Sequence, residues 1–148
     1  MRLLTLNGAS LLLGLASACS TGIGDGAGQP AYAIPSGALV LKVSVKRVES
    51  TGLHPGCGEG CIPFHHWYRY DAEVERVVVG TWDGSRVQFV HLQHGEYIPA
   101  VTDDCHVVLV KASPELEAAT GASHVAERIL SPRFKLDRQV IRAWGDGS

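Results

Sequence analysis

The densest chemistry in the chain lies in one short stretch, His54-Pro55-Gly56-Cys57-Gly58-Glu59-Gly60-Cys61-Ile62-Pro63-Phe64-His65. Two imidazoles and two thiols, spaced His-x2-Cys-x3-Cys-x3-His, are ligand types that suit zinc or copper, and the glycines would let the backbone wrap an ion. His54, Cys57, Cys61 and His65 are therefore a candidate metal set. Oxidation is the competing fate. In an oxidising compartment, a bridge from Cys105 to either Cys57 or Cys61 would tie the stretch to the rest of the fold and leave one thiol over. The bridge is the favoured expectation, with no cofactor; zinc or copper is the alternative.

The other chemically capable residues are dispersed. Asp103-Asp104-Cys105-His106 offers acid, thiol and imidazole together, but neighbouring strand residues point to opposite faces, so Cys105 and His106 do not form a catalytic pair there. His91 and His94, three positions apart, fall on opposite faces in the same way and are expected at the surface or rim. Trp67, Tyr68 and Tyr70 could make a binding face, although packing is the expected role. The glycines at 22, 24, 26 and 28 neither follow a strand nor open a helix, so no phosphate loop is present. No catalytic residues are assigned, and the expectation leans away from an enzyme. Thirteen Lys and Arg against fifteen Asp and Glu leave no basic excess, and Arg133, Lys135 and Arg138 are expected on a solvated face, so a nucleic-acid partner is not expected.

The elements that must position these groups are mostly strands. Tyr70 to Glu75 alternates apolar with acidic, Gly80 to Ser85 is a turn, and Arg86 to Leu92 is rich in β-branched and aromatic residues, which together predict a hairpin. Upstream, Leu39, Leu41, Val43 and Val45 share one face of a strand whose other face carries Lys42, Ser44 and Lys46. The parity slips at Arg47-Val48 and again at Glu75-Arg76-Val77, which predicts a β-bulge at each point, the bend that closing a small barrel requires. Between these strands, Glu49 to Trp67 is a long loop. Cys105 to Lys111 is apolar enough for a strand buried on both faces. Ser113 to Gly121 has an N-cap, a first-turn proline and a terminal glycine, so it is a short helix. Ser123 to Leu130 is predicted as one or two further helical turns, and Arg138 to Trp144 as a closing fifth strand. The predicted core comprises Leu39, Leu41, Val43, Val45, Tyr70, Val74, Phe89, Val108 and Val110. The fold class is mainly β: a small antiparallel, OB-like barrel or sandwich of about five strands with one or two short helices.

The first segment is an address. Arg2 supplies a positive charge, Leu11 to Leu15 a short apolar core, and Ala16-Ser17-Ala18 the small residues that precede signal cleavage. Leu15-Ala16-Ser17-Ala18-Cys19 resembles the lipobox of bacterial lipoproteins. That resemblance implies that Cys19 is acylated and becomes the mature N-terminus; ordinary cleavage after Ala18 is the alternative. It divides the 148 residues into an export signal (1–18), the lipidated cysteine with a Gly-rich tether (19–35) and a single β-rich domain (36–148). Several acyl chains, each buried CH₂ contributing about 0.8 kcal/mol, would hold such a protein on a membrane without a spanning helix. By resemblance to Gram-negative lipoproteins, Ser20 after the cysteine implies the outer membrane, facing the periplasm.

The strand ending Val77-Val78-Val79-Gly80, the strand Val87-Gln88-Phe89-Val90, and Cys105 heading Val107-Val108-Leu109-Val110 resemble the OB-type barrels of the netrin/TIMP-like class. The anchor, together with the lack of an assignable catalytic group, leaves as the expected function a non-enzymatic envelope module, held on a membrane and presenting barrel loops to a protein or glycan partner. A periplasmic zinc- or copper-binding protein using residues 54–66 is the alternative.

Overall fold

The computed structural model of the chain describes residues 32–56, 60, 62, 64–95 and 102–145. They form β1 (Leu39–Ser50), β2 (His65–Val79), β3 (Arg86–His94), β4 (Cys105–Lys111), α1 (Pro114–Thr120), β5 (His124–Leu130) and α2 (Lys135–Ala143). The strands close into a barrel in the order β1-β2-β3-β5-β4, with β4 pairing back onto β1. Every ladder is antiparallel except β3 with β5, which meet in parallel at Val90 and Val125.

Alternation fills the barrel. Leu41 and Val43 from β1, Tyr70 and Ala72 from β2, Val87 and Phe89 from β3, Cys105, Val107 and Leu109 from β4, and Ala126 from β5 form one buried cluster, with Leu39, Val45 and Val74 packed at its margin. Each large apolar side chain buried in this way contributes about 1.5–3 kcal/mol relative to exposure. A second, smaller cluster sits on Ala38, Val40 and Val108, where Tyr32, Ile34, Val78, Val79, Val110 and Trp144 pack against it. The two clusters explain the uninterrupted apolar run of β4, because odd positions face the first and Val108 belongs to the second. Val108 and Val110 are thus core residues of the second cluster. Tyr32 and Ile34 lie within the segment expected to be tether, yet Tyr32 sets its ring edge-on to Trp144 at 6.3 Å and lies under the Arg128 guanidinium at 4.7 Å.

Bulges bend the strands where parity slips. The β1–β2 register shifts between Val45 and Arg47, and again between Lys42 and Val43, whose partners Arg76 and Val74 bracket Glu75. As a result β2 runs on for six residues past Glu73, where its ladder with β3 ends, and those residues pair with β1 alone. Glu49 and Ser50 and then His65, His66 and Trp67 belong to strands, so the predicted loop is shorter at both ends; Thr51 N–H donates to Trp67 O at 3.0 Å and Trp67 N–H to Leu53 O at 2.9 Å.

Two predicted elements exchange roles. Residues 124–130 are strand β5, and 135–143 are helix α2. The cause is a further bulge, in the β4–β5 ladder: Leu109 pairs with Ala126 and Val108 with Arg128, leaving Glu127 extra. It puts the inward-packing residues Ala126 and Ile129 three apart, a helical spacing inside a strand. In α2, Ile141 is buried and Trp144 joins the second cluster three residues on, which is helical periodicity carried by too few apolar residues to stand out in the sequence. The predicted helix α1 is present, with Ser113 Oγ accepting from Leu116 N–H at 3.3 Å and Gly121 in the left-handed conformation at φ 73°.

Candidate functional site

The β2–β3 ladder carries most of the remaining aromatic and imidazole groups, and its register sorts them. His65 pairs with His94, His66 with Gln93, Trp67 with Leu92, Tyr68 with His91, and Tyr70 with Phe89. Because successive residues alternate, His66, Tyr68 and Tyr70 project toward the barrel interior, while His65, Trp67 and Arg69 project outward.

The inward column is packing. Tyr70 and Phe89 stack with centroids 5.0 Å apart and planes 3° apart, and the Tyr70 hydroxyl donates to Gln93 Oε1 at 2.8 Å. His91 lies 6.3 Å from the Tyr70 ring, its Nδ1 is buried without a hydrogen-bond partner, and burial pushes its pKa below 6.5. His91 is therefore not the rim residue that its spacing from His94 predicts. Tyr70 is buried packing as expected.

The open end of the ladder is different. His65 and His94 approach with ring centroids 4.9 Å apart and planes at 63°, and Phe64 stacks on His94 at 5.9 Å and 19°. The backbone fixes this group: Gly95 N–H donates to Phe64 O at 3.1 Å and the Tyr68 hydroxyl to Gly95 O at 3.4 Å. His54 instead sets its ring against His66, at 6.4 Å and 83°. The histidines of the predicted metal set are thus parted, His65 beside His94 and His54 beside His66, on the opposite face of β2. Cys57 and Cys61 lie outside the described residues, as does Cys19. Among the described residues no group of three or more His, Cys, Asp or Glu is arranged to hold a metal ion. The side chains of Ile62 and Phe64 stand out at this end, 75 % and 65 % exposed.

Cys105 is a free thiol inside the barrel. Its Sγ lies 3.3 Å from the Thr102 carbonyl, to which it donates, and burial, reinforced by Asp104 and Asp103, pushes its pKa up to about 12. A thiol so held is neither a nucleophile nor a ready bridge partner at neutral pH. His106 lies on the other face of β4, nearly inaccessible, with its pKa lowered by burial and by Lys42 and Arg76. Asp103 is bound to Arg133 at 2.9 Å and Asp104 approaches Lys42 at 3.6 Å, so the run Asp103–His106 does not converge on one point.

A cleft of about 460 Å³ not anticipated from the sequence opens beside the Val45/Arg47 bulge, lined by Lys46, Arg47, Asp71, Arg86 and Gln88 over Ala72 and Val87. Its charges are largely engaged: Lys46 with Glu73 at 3.2 Å, Arg47 with Glu49, and Gln88 Nε2 with Asp71 Oδ1 at 2.6 Å. The parity slip at Arg47 is the sequence signal that marks the place, since a bulge turns side chains away from the strand beneath.

These features define a small closed β-barrel with an exposed aromatic and imidazole rim at one end. No family model, curated protein or solved structure matches the chain.

Proposed function

We propose that the protein is an exported lipoprotein, acylated at Cys19, whose barrel serves as a non-enzymatic binding module in the cell envelope. The observation that supports the binding role is the rim: Phe64 is a large apolar side chain left in water against His94, which in turn meets His65, Ile62 two residues earlier is exposed as well, and exposed apolar side chains of this kind mark a contact surface. The export core and the small residues before Cys19 support the anchor. The partner is a protein or glycan of the periplasm, met by the barrel end.

Mass spectrometry of the mature N-terminal peptide tests the anchor. The expected species starts at Cys19 and carries acyl chains; an unmodified start there, or a start elsewhere, overturns it. Photo-crosslinking in cells tests the surface, with the reactive residue placed at position 64 and, as a control, at exposed Asp83 across the barrel. A discrete adduct from 64 and none from 83 is expected, and equal adducts or none from 64 would sink the binding role.

A further inference from the structure

We infer that His65 and His94 form a two-imidazole site for a single divalent zinc or copper ion on the outer face of the barrel, a set that shares only His65 with the Cys/His stretch and needs none of His54, Cys57 or Cys61. The inference depends on neither the acyl anchor nor a macromolecular partner.

The first argument is register. His65 and His94 are directly opposed on antiparallel strands, where Cβ atoms are about 4.5–5.5 Å apart, so both side chains leave the sheet from one spot in one direction. Two strands rigidly hydrogen-bonded to one another hold the pair without a flexible loop between them. The second argument is ring geometry. Zinc takes imidazole nitrogens at about 2.0–2.1 Å, so an ion in line with a nitrogen of each ring, at a bond angle between 90° and tetrahedral, places the ring centroids about 4.5–5.2 Å apart. The observed separation is 4.9 Å, and the 63° between planes is compatible with convergence on one point rather than with face-to-face stacking.

The surroundings hold the pair in place. Phe64 lies against the His94 ring and limits its rotation, and the rung beneath is the apolar pair Trp67 and Leu92. Both histidines are themselves exposed, so an ion can reach them from solvent and keep water, or a group of another molecule, in its other positions. Imidazole suits zinc and copper, whereas magnesium and calcium prefer oxygen, so the ion is of the former class. His54 and His66 make a looser pair, 6.4 Å between centroids, beyond the span of bond angles between about 90° and tetrahedral.

The test is zinc titration by calorimetry on the untagged full-length domain carrying Cys57→Ser and Cys61→Ser, which removes the thiols that could bind zinc by themselves. One equivalent of zinc is expected to bind at pH 7.5, and binding should weaken on the order of tenfold or more in His65→Ala and in His94→Ala, as loss of an inner ligand exceeds the 10–100-fold cost of disturbing an outer one. His54→Ala should bind as the parent does. Circular dichroism of each variant checks the fold, and His94→Gln provides a second version that keeps a polar side chain at the site. No binding by the parent, binding indifferent to His94, or an equal loss in His54→Ala overturns the proposal. Zinc bound only when Cys57 and Cys61 are present would also overturn it and assign the metal to the Cys/His stretch.

Discussion

Cys105 and His106 are neighbours in sequence with opposite fates in the fold. The Cys105 side chain is inside the barrel, hydrogen-bonded to Thr102 O, with its pKa pushed up to about 12 from an ordinary 9.0. Only the thiolate attacks alkylating reagents, so Cys105 should remain unmodified by iodoacetamide at pH 8 in the native protein and react within minutes once urea unfolds it. Peptide mapping after labelling reads this directly, and rapid native labelling of Cys105 would mean that the strand is open. The same shift carries a pH consequence. Above pH 9 the unfolded thiol ionises while the folded one stays protonated, so the stability linked to this group is fully present below about pH 9 and declines as pH rises toward 12. Its position on an alternating strand separates it from His106, a separation legible in the sequence; its burial inside the barrel was not, because cysteine spacing says nothing about which way a strand faces.

At the scale of elements, bulges decide both what the sequence reveals and what it hides. The slips at Arg47 and Glu75 interrupt long, otherwise regular alternations, so they stand out, and two of the three register shifts of β1 and β2 fall at those places; the third, between Val40 and Leu41, is hidden within the valine run 77–79. Glu127 interrupts a seven-residue strand, leaving too little alternation on either side to recognise, and β5 takes on a helical spacing. The imidazole rim was hidden for a related reason: His65 and His94 are brought together by the hairpin's register, which depends on how far the strands extend past their obvious apolar portions. The exchange of β5 and α2 makes a paired prediction. Ala126 is 4 % exposed in the main cluster, so Ala126→Asp should bury an uncompensated charge and cost on the order of 3–5 kcal/mol, enough to unfold a marginal domain. Ala143→Asp, on the exposed end of α2, should change the urea midpoint little. Comparable losses for both would place the C-terminal segment, rather than 124–130, in the barrel wall.

For the whole molecule, three inaccessible or largely covered histidines set the response to acid. His91 is shifted below 6.5 by burial; His106 by burial and the charges of Lys42 and Arg76, opposed by Asp104 and Glu75; His124 by burial and Lys111, opposed by Glu117. In each the folded state disfavours the proton. The stability they confer is complete above the unfolded value near 6.5 and is lost as pH falls from there through the folded values, because the unfolded chain takes up protons that the barrel does not. Urea melts at pH 7.5 and pH 5.0 should therefore show a lower midpoint in acid, and His91→Phe, which keeps an aromatic ring beside Tyr70, should reduce the difference. A midpoint unchanged or higher at pH 5.0 contradicts the sign.

The packing of Tyr32 and Ile34 at the entrance to β1 fixes where the preceding chain joins the barrel, at the end away from the imidazole rim. β1 runs twelve residues from there, about 40 Å of strand at roughly 3.3 Å each and somewhat less once bent, before it delivers the chain to the end that bears His65 and His94. With the proposed anchor at Cys19, the anchoring segment therefore enters at one end of the barrel and the imidazole rim occupies the other, so a partner at the rim and the chain leading to the lipid do not compete for the same surface.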